Sequence, residues 1–112
     1  MPHNPAKLYE DILRTINELN VFCAGKNIVD FKEDRQLQLA VERSLEIVGE
    51  AVFRLRVDHP ALVQKLSDAH KIIGMRNILA HGYDAIDYDI LWDAALNKLP
   101  KLLDEVKKLH CQ

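Results

Sequence analysis

Between Asp30 and Asp58 no proline interrupts the chain, and Leu37, Val41, Ser44, Val48, Ala51 and Leu55 recur at alternating steps of four and three. A strand would alternate at every second residue. This spacing instead gathers all six side chains into one stripe along a long helix. Such a seam must be covered, either by a neighbouring helix or by a second copy of the chain. Leu45, Ile47 and Val52 widen the apolar surface, so the helix is expected to be buried on two sides. Asp30-Phe31-Lys32-Glu33 has the form of a capping box with an acid at the cap, and Asp58-His59-Pro60 ends the run, because the residue before proline is driven out of the α region. On the remaining face Arg43, Glu46 and Glu50 stand at i, i+3 and i+7, with Gly49 allowing close approach. Spacing alone describes a solvated face of paired charges.

The rest of the chain reads in the same idiom. Asn4 as N-cap and Pro5 at the first helical position open a helix whose apolar stripe is Tyr9, Ile12, Leu13, Ile16, Leu19 and Cys23, with Gly25 as its stop. After the long helix, Pro60 opens a short turn through Leu62, Val63 and Leu66. Ser67 or Asp68 can cap a further segment from about Ala69 to Ala80, which Gly82 breaks. Tyr83 to Ile86 reads as a loop, and Asp87 caps a last helix carrying Ile90, Leu91, Ala94, Ala95, Leu99, Leu102, Leu103, Val106 and Leu109. Pro100 lies inside that pattern and should kink it or split it in two. Lys107 and Lys108 suit the helix end. Aromatics are only 6% of residues, while Leu, Ile, Val and Ala dominate the apolar set. Four Gly and four Pro leave little material for the turns of an all-β fold. The expectation is a single all-α domain over residues 1–112, a bundle of about four or five helices with a long second helix.

A formal net charge of −2 provides no bulk basic field, so a polyanion would have to be caught by a local patch. Cys23 and Cys111 show no ligand spacing and read as reduced cytosolic thiols. The start of the chain lacks the pattern of a signal peptide, and no apolar run approaches the roughly 18 residues needed to span a bilayer. A cytoplasmic protein without membrane association is expected. His3, His59, His70, His81 and His110 form no i, i+4 pair of metal-ligand type, so neither a metal nor another cofactor is expected.

Chemistry concentrates in Arg76-Asn77-Ile78-Leu79-Ala80-His81-Gly82-Tyr83. These eight residues offer a permanent cation, an amide, an imidazole and a phenol, the groups that hold a phosphate, orient it, move a proton and present a modifiable hydroxyl. On an ideal helix Asn77 and His81 lie one turn apart on the same side, and Arg76 is about 140° from His81. Ile73, Leu79 and Ala80 can face the core, leaving the polar set outside. The bland alternative is a solvated helix end, with His81 answering the helix dipole and Tyr83 plugging the bundle.

The string Arg76-x4-His81-x-Tyr83, with polar Asn77 directly after the arginine, resembles the signature of HEPN domains. It is most similar to the HepT-type toxins that pair with minimal nucleotidyltransferase antitoxins. Tyr9-x-Asp11-Ile12-Leu13, Arg43-x-Leu45-Glu46-Ile47-Val48-Gly49-Glu50-Ala51, Gly74-Met75-Arg76-Asn77 and Trp92 fit the same pattern. One departure is Ser67-Asp68-Ala69-His70, where many relatives carry Pro-x-x-Trp.

The resemblance implies a HEPN bundle acting as a metal-independent endoribonuclease, a homodimer whose two motifs meet across the interface. In that reading Arg76 clamps the scissile phosphate, His81 is the general base or acid, and Asn77 orients His81 or the phosphate. Lys71, Arg43, Glu46 and Glu50 are candidate contacts to RNA or to a partner, and the seam from Leu37 to Leu55 and the apolar excess of the long helix are candidate dimer contacts. In related pairs the nucleotidyltransferase attaches AMP to the tyrosine at the position of Tyr83, which would place charge and bulk beside the catalytic groups. The competing reading is a non-catalytic helical module that docks a minimal nucleotidyltransferase and presents nucleotide or substrate to it. A plain structural helical dimer is the third.

Overall fold

The computed structural model of the chain describes residues 4–81 and 86–111. Among these the regular structure is helical throughout. α1 spans Pro5–Cys23, capped by the Asn4 side chain, which accepts the Ala6 N–H. It ends before Gly25, whose φ of +74° is the left-handed conformation that glycine adopts without steric penalty. Its stripe is buried as expected, with Leu13 only partly covered.

The entry to the long helix differs from the expectation. A separate short helix, α2, spans Ile28–Glu33, and its cap is Asn27 rather than Asp30. Asn27 accepts the Asp30 N–H, and the Asp30 carboxylate accepts the Asn27 N–H, which makes Asp30 the third helical residue of the box. The chain then turns at Asp34, which caps the long helix α3, Arg35–Asp58, by accepting the Leu37 N–H. Packing explains the break. Phe31 is fully buried, stacked on Trp92 at 4.9 Å and edge-on to Tyr88 at 5.5 Å. The buried Gln38 amide then donates to the carbonyls of Phe31 and Lys32, satisfying the orphan end of α2.

α3 is the axis of the bundle, with α1 and α5 (Ala69–His81) packed along it. All six seam residues, Leu37 to Leu55, are buried inside this one chain. That corrects the expectation that the seam is a dimer contact: α1 and α5 already cover it. The short α4, Pro60–Val63, follows α3. After Asp87, which accepts the N–H groups of Asp89 and Ile90, come α6 (Tyr88–Asp93), a π-helical turn (Ala94–Lys98) and α7 (Leu99–His110).

The interruption expected at Pro100 is this π turn. The Leu99 N–H reaches back five residues to the Ala94 carbonyl. The wider turn precedes a proline that can neither donate a hydrogen bond nor tolerate a carbonyl four residues before it. α7 packs on α1, closing the core around Ile12, Ile16, Leu99, Leu102 and Val106. None of the described helices is long and apolar enough to cross a membrane.

Candidate active site

α5 carries the motif, and both of its sides are fixed before the polar groups are considered. Its start is tied to α7: the Ser67 amide and hydroxyl donate to the Glu105 carboxylate, at 3.1 Å from the amide to Oε2, and Lys101 lies 3.8 Å from Asp68. This tether links the start of α5 to α7 through Ser67 and Asp68. Ile72, Ile73, Met75 and Leu79 bury the inner face. Ala80, expected to be able to face the core, is exposed.

Arg76 stands at the edge of that inner face, where α5 crosses α3 at Gly49. A Cβ on Gly49 would lie 2.4 Å from the Arg76 Cβ, so only glycine lets the arginine stem cross here. The guanidinium then meets three groups. Its Nη2 donates to Glu50 Oε2 at 2.5 Å, its Nη1 to Asn77 Oδ1 at 2.8 Å, and its Cζ lies 4.9 Å from the centre of the Phe53 ring. Glu50 also receives Arg54 at 2.9 Å through its other oxygen. Asn77 and His81 are exposed on α5, and His81 is the helix's last residue. Tyr83 lies outside the described residues.

The other expected contacts divide between two grooves. Arg43, Glu46 and Glu50 line one of about 240 Å³ together with Asp11, Ile47 and Arg54, and Arg43 pairs with Glu46 at 3.5 Å. Lys71 lines a different groove between α5 and α6, with Gly74, Met75, Ile78, Ile90 and Asp93. The carboxyl of Asp93 is held below the ordinary carboxylate range, first by the hydrogen bond from Asn97, then by Lys98, with a smaller contribution from the field of Lys71. The structure therefore joins Arg76, Asn77 and Glu50, sets Arg43 and Glu46 in the adjoining groove, and leaves Lys71 in the other one. Among the described residues no three His, Cys, Asp or Glu side chains are arranged to hold a metal ion.

Phe53 and Arg54 were absent from the expected set. The signal for Phe53 was present: it stands one helical turn beyond Gly49, on the side of α3 where that glycine implies a close crossing.

In chemical terms the arrangement is an arginine fixed in direction, an amide beside it and an exposed imidazole at the helix end. These are the parts needed to grip a phosphodiester and shuttle a proton. The comparisons with known proteins point the same way. The family described as "Ribonuclease HepT-like" matches residues 12–109. A protein of Caldanaerobacter subterraneus subsp. tengcongensis named "Putative RNase" is 36% identical over 109 residues, covering 94% of this chain and 93% of that protein. Another of that name in Methanocaldococcus jannaschii is 33% identical over 103 residues, covering 88% and 81%. The "Probable ribonuclease HepT" of Thermococcus cleftensis is 32% identical over 101 residues, covering 90% and 91%. No solved structure matches the chain. With nearly its whole length matched and the arginine-histidine helix packed on α3, this chain belongs to the HepT-like ribonuclease family.

Proposed function

We propose that the chain is a metal-independent endoribonuclease, the toxin of a toxin–antitoxin pair, acting as a homodimer in the cytoplasm. The observation that carries this reading is the oriented Arg76 guanidinium on the same short helix as the exposed Asn77 and His81. Cleavage without a metal requires three things: a proton taken from the ribose 2′-OH, charge stabilised on the phosphorane, and a proton given to the leaving 5′-oxygen. The 2′-oxygen bonds to phosphorus, the P–O5′ bond breaks, and the products are a 2′,3′-cyclic phosphate and a 5′-hydroxyl. One motif has a single His and a single Arg. Two copies of the chain supply a base and an acid together with paired phosphate clamps. With the α3 seam consumed inside each protomer, the outer face of α5, carrying Asn77, the half-exposed Ile78 and His81, is the surface through which the motifs would meet. A near-neutral protein can bind RNA in this way because positive potential is focused locally, and binding outside the cleft would be weak and salt-sensitive.

Neutralisation is assigned to Tyr83. A minimal nucleotidyltransferase antitoxin would direct the tyrosine oxygen onto the α-phosphorus of ATP, releasing pyrophosphate and the phenolic proton. The attached AMP would occupy the neighbourhood of Arg76 and His81 with negative charge. Support for this step is the two-residue spacing of Tyr83 from His81.

The test is RNA cleavage in EDTA by wild type beside Arg76→Ala and His81→Ala. Both variants should lose about 100-fold or more in rate, and equal cleavage by all three would sink the assignment. Co-expression with a nucleotidyltransferase partner should add mass in AMP-sized steps that vanish in Tyr83→Phe. An unmodified chain in a tight complex would point to steric inhibition instead.

A further inference from the structure

If Arg76 is to hold a phosphate during a reaction, its guanidinium must already point the right way when RNA arrives. An arginine on a helix surface samples many rotamers, and a clamp that must first be ordered loses much of its advantage. Here the ordering groups come from α3, far from Arg76 in sequence: Gly49, Glu50 (26 residues away) and Phe53. Gly49 admits the stem, Phe53 covers one face of the guanidinium, and Glu50 takes one Nη2 hydrogen. Asn77 takes one Nη1 hydrogen. Of the five N–H donors that an arginine carries, these two hydrogen bonds leave three for a phosphate. Glu50 is itself steadied by Arg54 on its second oxygen.

From this we infer that Glu50 is the positioning residue of the site. It latches the guanidinium of Arg76 in a fixed orientation and never touches RNA. The inference rests on the reading in which Arg76 holds the scissile phosphate. It replaces the sequence-level view of Glu50 as a contact to RNA or a partner, because the carboxylate is spent on Arg76 and Arg54. A carboxylate placed to meet RNA directly would repel the backbone. Placed behind the arginine, it restrains the cation while leaving donors for the phosphate.

Two measurements on the full chain test this, using Glu50→Ala and the isosteric Glu50→Gln, which keeps a hydrogen-bond acceptor and the helix surface. The first is nitrogen-15 NMR of arginine side chains, with the Arg76 signal identified by its loss in Arg76→Lys. Wild type should show restricted guanidinium rotation at Arg76, relaxed to the rate of exposed arginines in Glu50→Ala and partly relaxed in Glu50→Gln. Rotation unchanged by Glu50→Ala overturns the latch. The second is cleavage kinetics. Glu50→Ala should lower kcat by about 10- to 100-fold with a smaller change in KM, Glu50→Gln by less, and adding Glu50→Ala to Arg76→Ala should cost nothing more. A further loss in the Arg76→Ala background means that Glu50 acts on its own and overturns the assignment. If Arg76→Ala leaves cleavage intact, the ribonuclease reading fails, while the NMR result still decides whether Glu50 latches Arg76.

Discussion

Replacing Gly49 with alanine tests the crossing of α3 and α5, on which the whole site depends. The added Cβ would sit 2.4 Å from the Arg76 Cβ, 3.1 Å from its Cγ and 3.3 Å from the Ile72 carbonyl oxygen. Carbon atoms in good contact lie about 3.5–4.0 Å apart, so the overlap exceeds about 1 Å. The atoms struck are a Cβ and a backbone oxygen, which cannot swing aside as the end of a long side chain can. Overpacking of this kind costs about 1–3 kcal/mol, against which alanine recovers about 0.8–1 kcal/mol of helix propensity. With a contact as short as 2.4 Å the upper end of that cost applies, and the net is a loss of about 2 kcal/mol, or roughly 8 °C in Tm for a domain of this size.

Gly74, on the same helix as Arg76, is the matched control. Among the described residues, an added Cβ there meets nothing within 4 Å. Gly74→Ala should therefore gain about 0.8–1 kcal/mol and raise Tm by about 3–4 °C. Thermal and urea unfolding followed by far-UV circular dichroism would measure both. The two substitutions must shift stability in opposite directions. A Gly49→Ala protein as stable as Gly74→Ala would refute the close crossing and, with it, the placement of Arg76 against α3.

Other consequences follow from the same packing. The lowered carboxyl of Asp93, held by Asn97 and Lys98, stabilises the fold above its ordinary value of 3.8 and loses that effect as pH falls through its lowered value. The stability advantage of wild type over Asp93→Asn should accordingly be present at neutral pH and vanish in strong acid, as read by melting curves across pH. Cys111 is exposed, whereas Cys23 is buried with its thiol pushed up by burial, so a disulfide-exchange reagent should label one thiol per native chain quickly and the second only on unfolding. Phe53→Leu keeps apolar bulk but removes the ring face beneath Arg76. It should lower the cleavage rate by about two- to fivefold, the worth of a partly exposed cation–π contact, while leaving Tm nearly unchanged. A loss in Tm without a loss in rate would assign Phe53 to packing alone.

Much of this fold was legible in local sequence, because local rules produced it. Asn4, Gly25, Pro60, Asp87 and Pro100 each act through their own backbone chemistry, and each marks a boundary or a distortion of the helices. The boundary misread near Asp30 depended on contacts no local pattern contains. Two boxes of nearly equal quality overlapped, and the choice fell to Phe31 burying against Trp92 about 60 residues later and to Gln38 capping α2. The seam on α3 was correctly apolar, but periodicity cannot say whether its cover comes from the same chain. At the candidate site, spacing could place Arg76, Asn77 and His81 on one helix, because all three are local to it. It could not pair Glu50 with Arg76, since that contact exists only because α5 crosses at Gly49.

The central claim is that Arg76 and His81 cleave RNA by activating its own 2′-hydroxyl. The most direct measurement is single-turnover cleavage of an end-labelled RNA in EDTA, with chemical identification of the new ends. Wild type should cut and leave a 2′,3′-cyclic phosphate and a 5′-hydroxyl, and both Arg76→Ala and His81→Ala should fail to cut on the same timescale. Cleavage that requires an added divalent metal, leaves a 3′-hydroxyl and a 5′-phosphate, or persists undiminished in either variant would contradict the account.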